Sequence, residues 1–233
     1  MRFSPRNCYL PYTGESPYKI GNVFLKFVEC HKDLGITIDR SLKFHVHIRR
    51  VAAVAGGMLT NLLSSTLCRD ASFLMNIYMS HIRPQLEYGC TLWNTGYIGD
   101  IRLLEKVQRR LTRAVNGMTN MTYRERLLHL DLFSFQGRLL RSDLIMVWKI
   151  ANGLCAINFD DLFVLPHTST LRGHSHKIFL QRSNLDIRKR FFSIRVINMW
   201  NSLSADTVSA NSLDSSKYHL SRDLGELLYE FTD

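Results

Sequence analysis

Asp100-Ile101-Arg102-Leu103-Leu104-Glu105-Lys106-Val107-Gln108-Arg109-Arg110-Leu111-Thr112-Arg113-Ala114-Val115-Asn116-Gly117 carries apolar residues at Ile101, Leu104, Val107, Leu111, Ala114 and Val115, in the three- and four-residue steps of an α-helix with one buried face. The pattern predicts Asp100 as the N-cap and Asn116-Gly117 as the stop. Opposite the apolar face stand Arg102, Lys106, Arg109 and Arg113, at steps of four, three and four, with Arg110 beside them. Ordinary helix surfaces interleave carboxylates at this spacing, and only Glu105 falls inside the row. Cations grouped in this way favour a polyanion, because each phosphate they neutralise releases counterions. A merely solvated helix face is the competing explanation.

Helical periodicity continues on both sides. Ile48, Val51, Ala52, Ala55, Leu59, Leu62, Leu63 and Thr66 predict one long helix from about residue 43. Asp70 is the expected N-cap of a second helix carrying Phe73, Leu74, Ile77, Tyr78 and Ile82, which Pro84 should end or kink. Thr122-Tyr123-Arg124-Glu125 reads as a capping box, and a long helix follows from about Phe135 to Asn152-Gly153. Before residue 40 the period shortens to two. A Gly21-Asn22 turn, a strand from Val23 to Glu29 and the alternating Asp33-Leu34-Gly35-Ile36-Thr37-Ile38-Asp39 predict short strands forming a hairpin. Beyond residue 153 the pattern is mixed. It suggests a loop with Thr168-Ser169-Thr170, a strand at Lys177 to Leu180, and helices over 190–203 and 212–229, with the Ser-rich 202–216 as a flexible joint. The expected fold is mainly α with a small N-terminal β-hairpin: 1–40 the hairpin, 41–153 a helical bundle, 154–233 a mixed section.

Composition agrees with a packed protein. The 233 residues are 45% hydrophobic, which excludes a disordered chain, and the formal charge of +10 points towards anionic partners. Cys8, Cys30, Cys68, Cys90 and Cys155 are odd in number and contain no CxxC, so neither a disulfide framework nor a zinc ribbon is expected. With no apolar leader at Met1-Arg2-Phe3-Ser4, a non-secreted, intracellular chain is the expectation. Residues 51–68 carry no charge and approach spanning length, but Gly56, Gly57, Asn61 and Ser64 fit a buried amphipathic helix better than a membrane span.

Other chemistry is thinly marked. Asp160-Asp161 resembles a paired-metal carboxylate motif, but without a third carboxylate on an adjacent strand a turn or helix cap is the better reading. His45 and His47 are two apart and would not converge on one metal if helical. His174 and His176, with Arg172 and Lys177, form a cluster suited either to phosphate or to a polar loop. No P-loop, GxSxG, GxGxxG or HExxH occurs, and no catalytic residue, metal site or cofactor is expected.

In order along the chain, Lys32 to Asp39 (KDLGITID), Ile82 to Gly89 (IRPQLEYG), Trp93-Asn94, Leu104 to Arg113 (LEKVQRRLTR), Tyr123 to Leu127 (YRERL), Trp148 to Gly153 (WKIANG), Leu171 to His174 (LRGH) and Phe191 to Leu203 (FFSIRVINMWNSL) resemble the C-terminal part of a LINE-type, non-LTR retrotransposon open reading frame. Together the blocks cover roughly residues 19 to 220. The resemblance implies descent from an RNA-directed DNA polymerase, a reverse transcriptase. Residues 19–40 would match its primer grip, with Leu34 and Gly35 at the turn that places a 3′ end, and residues 43–120 its helical thumb and continuation. It also implies that the fingers and catalytic palm lie upstream and are missing, so that Mg²⁺ would serve only the full-length parent enzyme. Asp160-Asp161 comes after the thumb, in the wrong order and without the intervening residue of the family's aromatic-x-Asp-Asp motif, and inherits no role. A thumb tracks a duplex by its backbone, which suits Arg49, Arg50, Arg102, Lys106, Arg109, Arg110 and Arg113 as phosphate contacts. The implied partners are RNA or an RNA–DNA hybrid and the missing palm and fingers, with no membrane. A helical module binding an acidic protein, or a decayed reading frame without selected function, are the alternatives.

Overall fold

The protein, seen in a computed structural model, is described over residues 18–25, 28–166 and 173–231. Cys8, the Thr168-Ser169-Thr170 cluster, Leu171 and Arg172 lie outside the described residues. The fold is mainly α with short N-terminal antiparallel hairpins.

Two hairpins replace the single expected one. β1 (Lys19–Ile20) and β2 (Val23–Phe24) flank Gly21-Asn22, and β3 (Cys30–Asp33) pairs with β4 (Ile36–Asp39). The second turn is Leu34-Gly35, with φ of 44° and 88°, the double left-handed turn whose twist matches antiparallel strands. The Asp39 carboxylate then accepts the backbone N–H groups of Ser41 and Phe44, and α1 (His45–Ser65) begins at once.

α2 (Ala71–Ile77) starts on the Asp70 cap as expected. Pro84 does not end it. A π-helical turn at Tyr78–Ile82, closed by the Arg83 N–H on the Tyr78 carbonyl, leads into α3 (Arg83–Glu87). Pro84 thus sits in the first turn of α3, where a missing N–H costs little. α4 (Cys90–Trp93) follows, then α5 (Ile98–Ala114). Asp100 is not its N-cap: Tyr97 is, and Asp100 is buried in the first turn, where its Oδ2 meets His45 Nδ1 at 2.5 Å. α6 (Tyr123–His129) carries the complete capping box, and α7 (Phe135–Ala151) is capped by Ser134. A first core gathers Ile48, Ala55 and Leu59 of α1, then Leu74, Tyr78, Ile82, Leu86 and Trp93, and Leu104, Val107 and Leu111 of α5, with Leu127 and Phe135.

The remaining chain departs most from expectation. α8 (Phe159–Leu162) is a single turn with Asp160 and Asp161 exposed in it, the structural role foreseen for them. No strand forms at Lys177 to Leu180. The Asn201 amide takes the place of a neighbouring strand, accepting the Ile178 N–H and donating to the Ile178 carbonyl. The helix expected over 190–203 is two short ones, α10 (Phe192–Arg195) and α11 (Ile197–Ser202), and an extended Phe191 separates α10 from the preceding turn, α9 (Asp186–Lys189). The Ser-rich segment is no flexible joint. α12 (Ala205–Val208) is held by the Asp223 carboxylate, which accepts from Ser204 and Thr207, and Ser216 is buried. α13 (Leu213–Leu224) ends at Gly225, and a 3-10 turn, Gly225–Tyr229, replaces its expected last turn.

A second core gathers Leu144, Val147 and Trp148 of α7 around Ile194, Val196, Ile197, Trp200 and Leu220. α7 therefore runs through both cores, since its Phe135 and Leu139 belong to the first. The chain end returns to the start of α7. Ser134 donates its N–H and hydroxyl to the Leu228 carbonyl, and Gly137 lets that backbone approach, for a Cβ there would stand 2.4 Å from the Leu228 oxygen. Among the described residues no helix is long and apolar enough to cross a membrane.

Candidate nucleic-acid interface

α1 and α5 pack side by side, and the surface between them is a groove of about 330 Å³. Its floor is small and apolar on the α1 side, with Ala52, Ala53 and Gly56, and is completed by Leu59, Leu103 and Val107. Its rim is cationic: Arg49 on α1, Lys106 and Arg110 on α5. Spacing explains the arrangement. Residues 49, 53, 56 and 60 share one face of α1, and 103, 106, 107 and 110 share one face of α5. Arg110 is fixed across the groove by an Nη1 bond of 2.8 Å to Thr60 Oγ1. A Cβ added at Gly56 would meet nothing within 4 Å, so packing does not demand glycine there.

The basic row of α5 is partly realised. Arg102, Lys106, Arg110 and Arg113 are exposed. Among the described residues, Lys106, Arg110 and Arg113 form no ion pair with a carboxylate. Glu105, the acid inside the row, faces away. It is buried, accepts from the Tyr123 hydroxyl, and caps α7 by accepting the N–H groups of Phe135 and Gln136 at 3.0 and 3.2 Å. Arg109 leaves the row. Its guanidinium lies 4.8 Å from the Tyr123 ring centre and 4.5 Å from that of Phe231. Arg50 is exposed but outside the groove, and its positive charge bears on His47. Leu34 and Gly35 are elsewhere again. Leu34 is 83% exposed at the hairpin tip, and its carbonyl accepts from the Tyr88 hydroxyl at 3.0 Å. Three of the seven expected phosphate contacts therefore meet in one groove, and Arg102 and Arg113 lie on the same helix as two of them.

Of the two histidine pairs, His47 and His174 are buried, His45 is half-buried against Asp100, and His176 is exposed. His47 is buried against Trp93 and its Nδ1 accepts the Thr37 N–H; burial, then the charge of Arg50, lowers its pKa. His174 Nε2 binds the Trp200 carbonyl at 3.0 Å, and Lys177 donates to the Asn201 carbonyl, so neither is held out towards a phosphate. No group of three metal-ligating side chains assembles among the described residues.

Two buried polar networks escaped the sequence reading. In one, Arg138 donates to Glu87, to the Phe133 carbonyl and to the Tyr78 hydroxyl, which in turn donates to Gln108 at 2.7 Å. Burial alone would lower the Arg138 pKa, but Tyr78 and Glu87 outweigh it and hold it above the usual value. In the other, Arg195 grips both Asp143 oxygens at 2.9 and 2.8 Å while Asn94 donates to the same carboxylate. Burial raises the Asp143 pKa, and the bonds from Arg195 and Asn94 oppose that rise. The signal available in the sequence was a charged residue, Arg138 or Asp143, placed among the apolar positions of a helix.

No family model matches the chain, and no solved structure matches it. Over 142 residues, 60% of this chain and 71% of the relative, it is 28% identical to uncharacterized protein B0403.1 of Caenorhabditis elegans.

Proposed function

We propose that the protein descends from the primer-grip and thumb region of a non-LTR retrotransposon reverse transcriptase and binds the sugar-phosphate backbone of RNA or an RNA–DNA hybrid without polymerase chemistry of its own. The observation that carries this reading is the groove between α1 and α5, rimmed by Arg49, Lys106 and Arg110 and continued along α5 by exposed Arg102 and Arg113. Backbone contacts of this kind need positive charge and access, and no base-specific geometry. The test is binding to an RNA–DNA hybrid across a salt series. Affinity should fall as salt rises, with a log–log slope near −0.7 to −0.9 per phosphate contacted. Charge reversal at Lys106, Arg110 and Arg113 should flatten that slope; an unchanged slope defeats the proposal. Purified protein with Mg²⁺, dNTPs and a primed RNA template should incorporate no nucleotide.

The apolar floor of the same groove favours a second reading, an acidic amphipathic helix seated on Ala52, Ala53, Gly56 and Val107. Gly56→Leu would obstruct such a helix at every salt concentration, whereas a strand held by the rim should tolerate it at low salt.

A further inference from the structure

A separate cavity of about 200 Å³ opens between α3 and α7, on residues that take no part in the groove. Three arginines line it: Arg83 from α3, Arg138 and Arg141 from α7. Their carboxylate supply is short. Glu87 receives both Arg83 Nε, at 3.0 Å, and Arg138 Nε. Arg141 meets no carboxylate among the described residues: its Nε donates to Ser221 Oγ at 3.2 Å and its Nη2 to the Lys217 carbonyl at 3.4 Å. One carboxylate, Asp131, also lines the cavity; it is exposed, pairs with none of the three arginines, and its charge bears on Tyr229. Arg83 Nη2 and Arg141 Nη1 have no acceptor among the described residues, and Ser142 adds a hydroxyl to the wall.

We propose that this cavity binds a phosphate monoester, either inorganic phosphate or the terminal phosphate of a larger molecule. Guanidinium forks match a tetrahedral oxyanion, and several converging on one volume supply the charge that a dianion needs. Arg138 is only 4% exposed, at the inner wall, where a phosphate inside a strand, flanked by sugars on both sides, is kept out. The mutual repulsion is visible in Arg141, whose pKa burial lowers and the charge of Arg83 lowers further. An anion between them would remove that cost.

The experiment is calorimetric titration of the purified protein with inorganic phosphate at constant ionic strength, repeated with a 5′-phosphorylated oligonucleotide and its 5′-hydroxyl twin. Saturable phosphate binding is expected, weakened about tenfold or more in each of Arg141→Gln and Arg83→Gln, as loss of a charge-assisted pair would cause. Arg141→Gln should retain the parent melting temperature to within a few degrees, because it leaves the Arg138–Glu87–Tyr78 network intact, whereas Arg83→Gln removes one partner of Glu87 and should melt somewhat lower; if one fails to fold, the other decides. Tighter binding of the phosphorylated strand, lost in Arg141→Gln, identifies a chain end as the source. Equal affinity for both strands, with inorganic phosphate still bound, identifies the free ion. Charge reversal in the α1–α5 groove should leave inorganic phosphate affinity unchanged, which separates this site from that one. Absence of saturable phosphate binding, or binding unaltered in both arginine variants, overturns the proposal.

Discussion

Glu105 stands in the middle of the basic row in sequence and outside it in space, because residues 102, 106 and 113 look outward while 105 looks towards α7. Similar geometry decides the fate of single substitutions. Gly56 has open space where a Cβ would go, so Gly56→Ala should raise the urea-derived stability by about 0.5–1 kcal/mol through the unfolded-chain entropy of glycine. Gly137→Ala should do the opposite, by about 1–3 kcal/mol, since the Leu228 carbonyl already occupies that space. In the Asp143–Arg195 pair the carboxylate is buried and the guanidinium mostly so. Arg195→Met would leave a desolvated carboxylate and an orphaned Thr91 carbonyl, and should cost about 3–5 kcal/mol in chemical denaturation. Adding Asp143→Leu should return part of that loss, because the uncompensated charge is then gone.

At the scale of elements, acid should loosen the β3–β4 hairpin. One of its links to α1 is the Thr37 N–H on His47 Nδ1, which requires an unprotonated Nδ1. The folded pKa of His47 lies below the ordinary 6.5, first through burial and then through Arg50. Between those two values the unfolded chain holds the extra proton, so stability is fully present above pH 6.5 and declines as pH falls below it. His174, lowered chiefly by burial, acts in the same direction. Asp39, held below its ordinary 3.8 by bonds from Ser41 and Phe44 that outweigh burial, contributes only to losses at still lower pH. Protection factors of the amides at Ile36 to Asp39, corrected for the base-catalysed intrinsic rate at each pH, should fall between pH 7 and 5.5; protection that is flat over this range would separate His47 from hairpin docking. Short N-terminal strands, though not their division into two hairpins, and the longer helices were legible in sequence, because α1, α5 and α7 each bury one face repeatedly and Asp70 and Thr122 announce the starts of α2 and α6. The Pro84 passage was not, since a π turn is set by what packs around Tyr78. The 177–203 region was not either, since side-chain bonds from Asn201 and Arg195 stand in for regular pairing. Of the expected interface, charge and spacing put Lys106 in a row with Arg109 and left Arg110 beside it, whereas the groove is lined by Lys106 and Arg110. The aromatic pair that withdraws Arg109, Tyr123 and Phe231, is separated from it by 14 and 122 residues, beyond the reach of a periodicity argument.

The whole molecule is tied together by α7, which supplies Leu139 to one core and Val147 to the other. Heat should therefore unfold it in a single cooperative transition, with calorimetric and van't Hoff enthalpies in agreement; two resolved transitions would show that the cores are independent. The C-terminal residues reinforce the tie, as Leu228 and Glu230 accept from Ser134 and Phe231 packs edge-on against Tyr123. This clasp has a consequence for biosynthesis. Synthesis from the N-terminus makes the first core's walls before residues 228–231 that close them, so that side stays open until those residues have been made. A message interrupted by a premature stop codon anywhere before residue 228 would yield a polypeptide unable to seal even the half already made, and degradation by cellular proteases is the expected fate of such products.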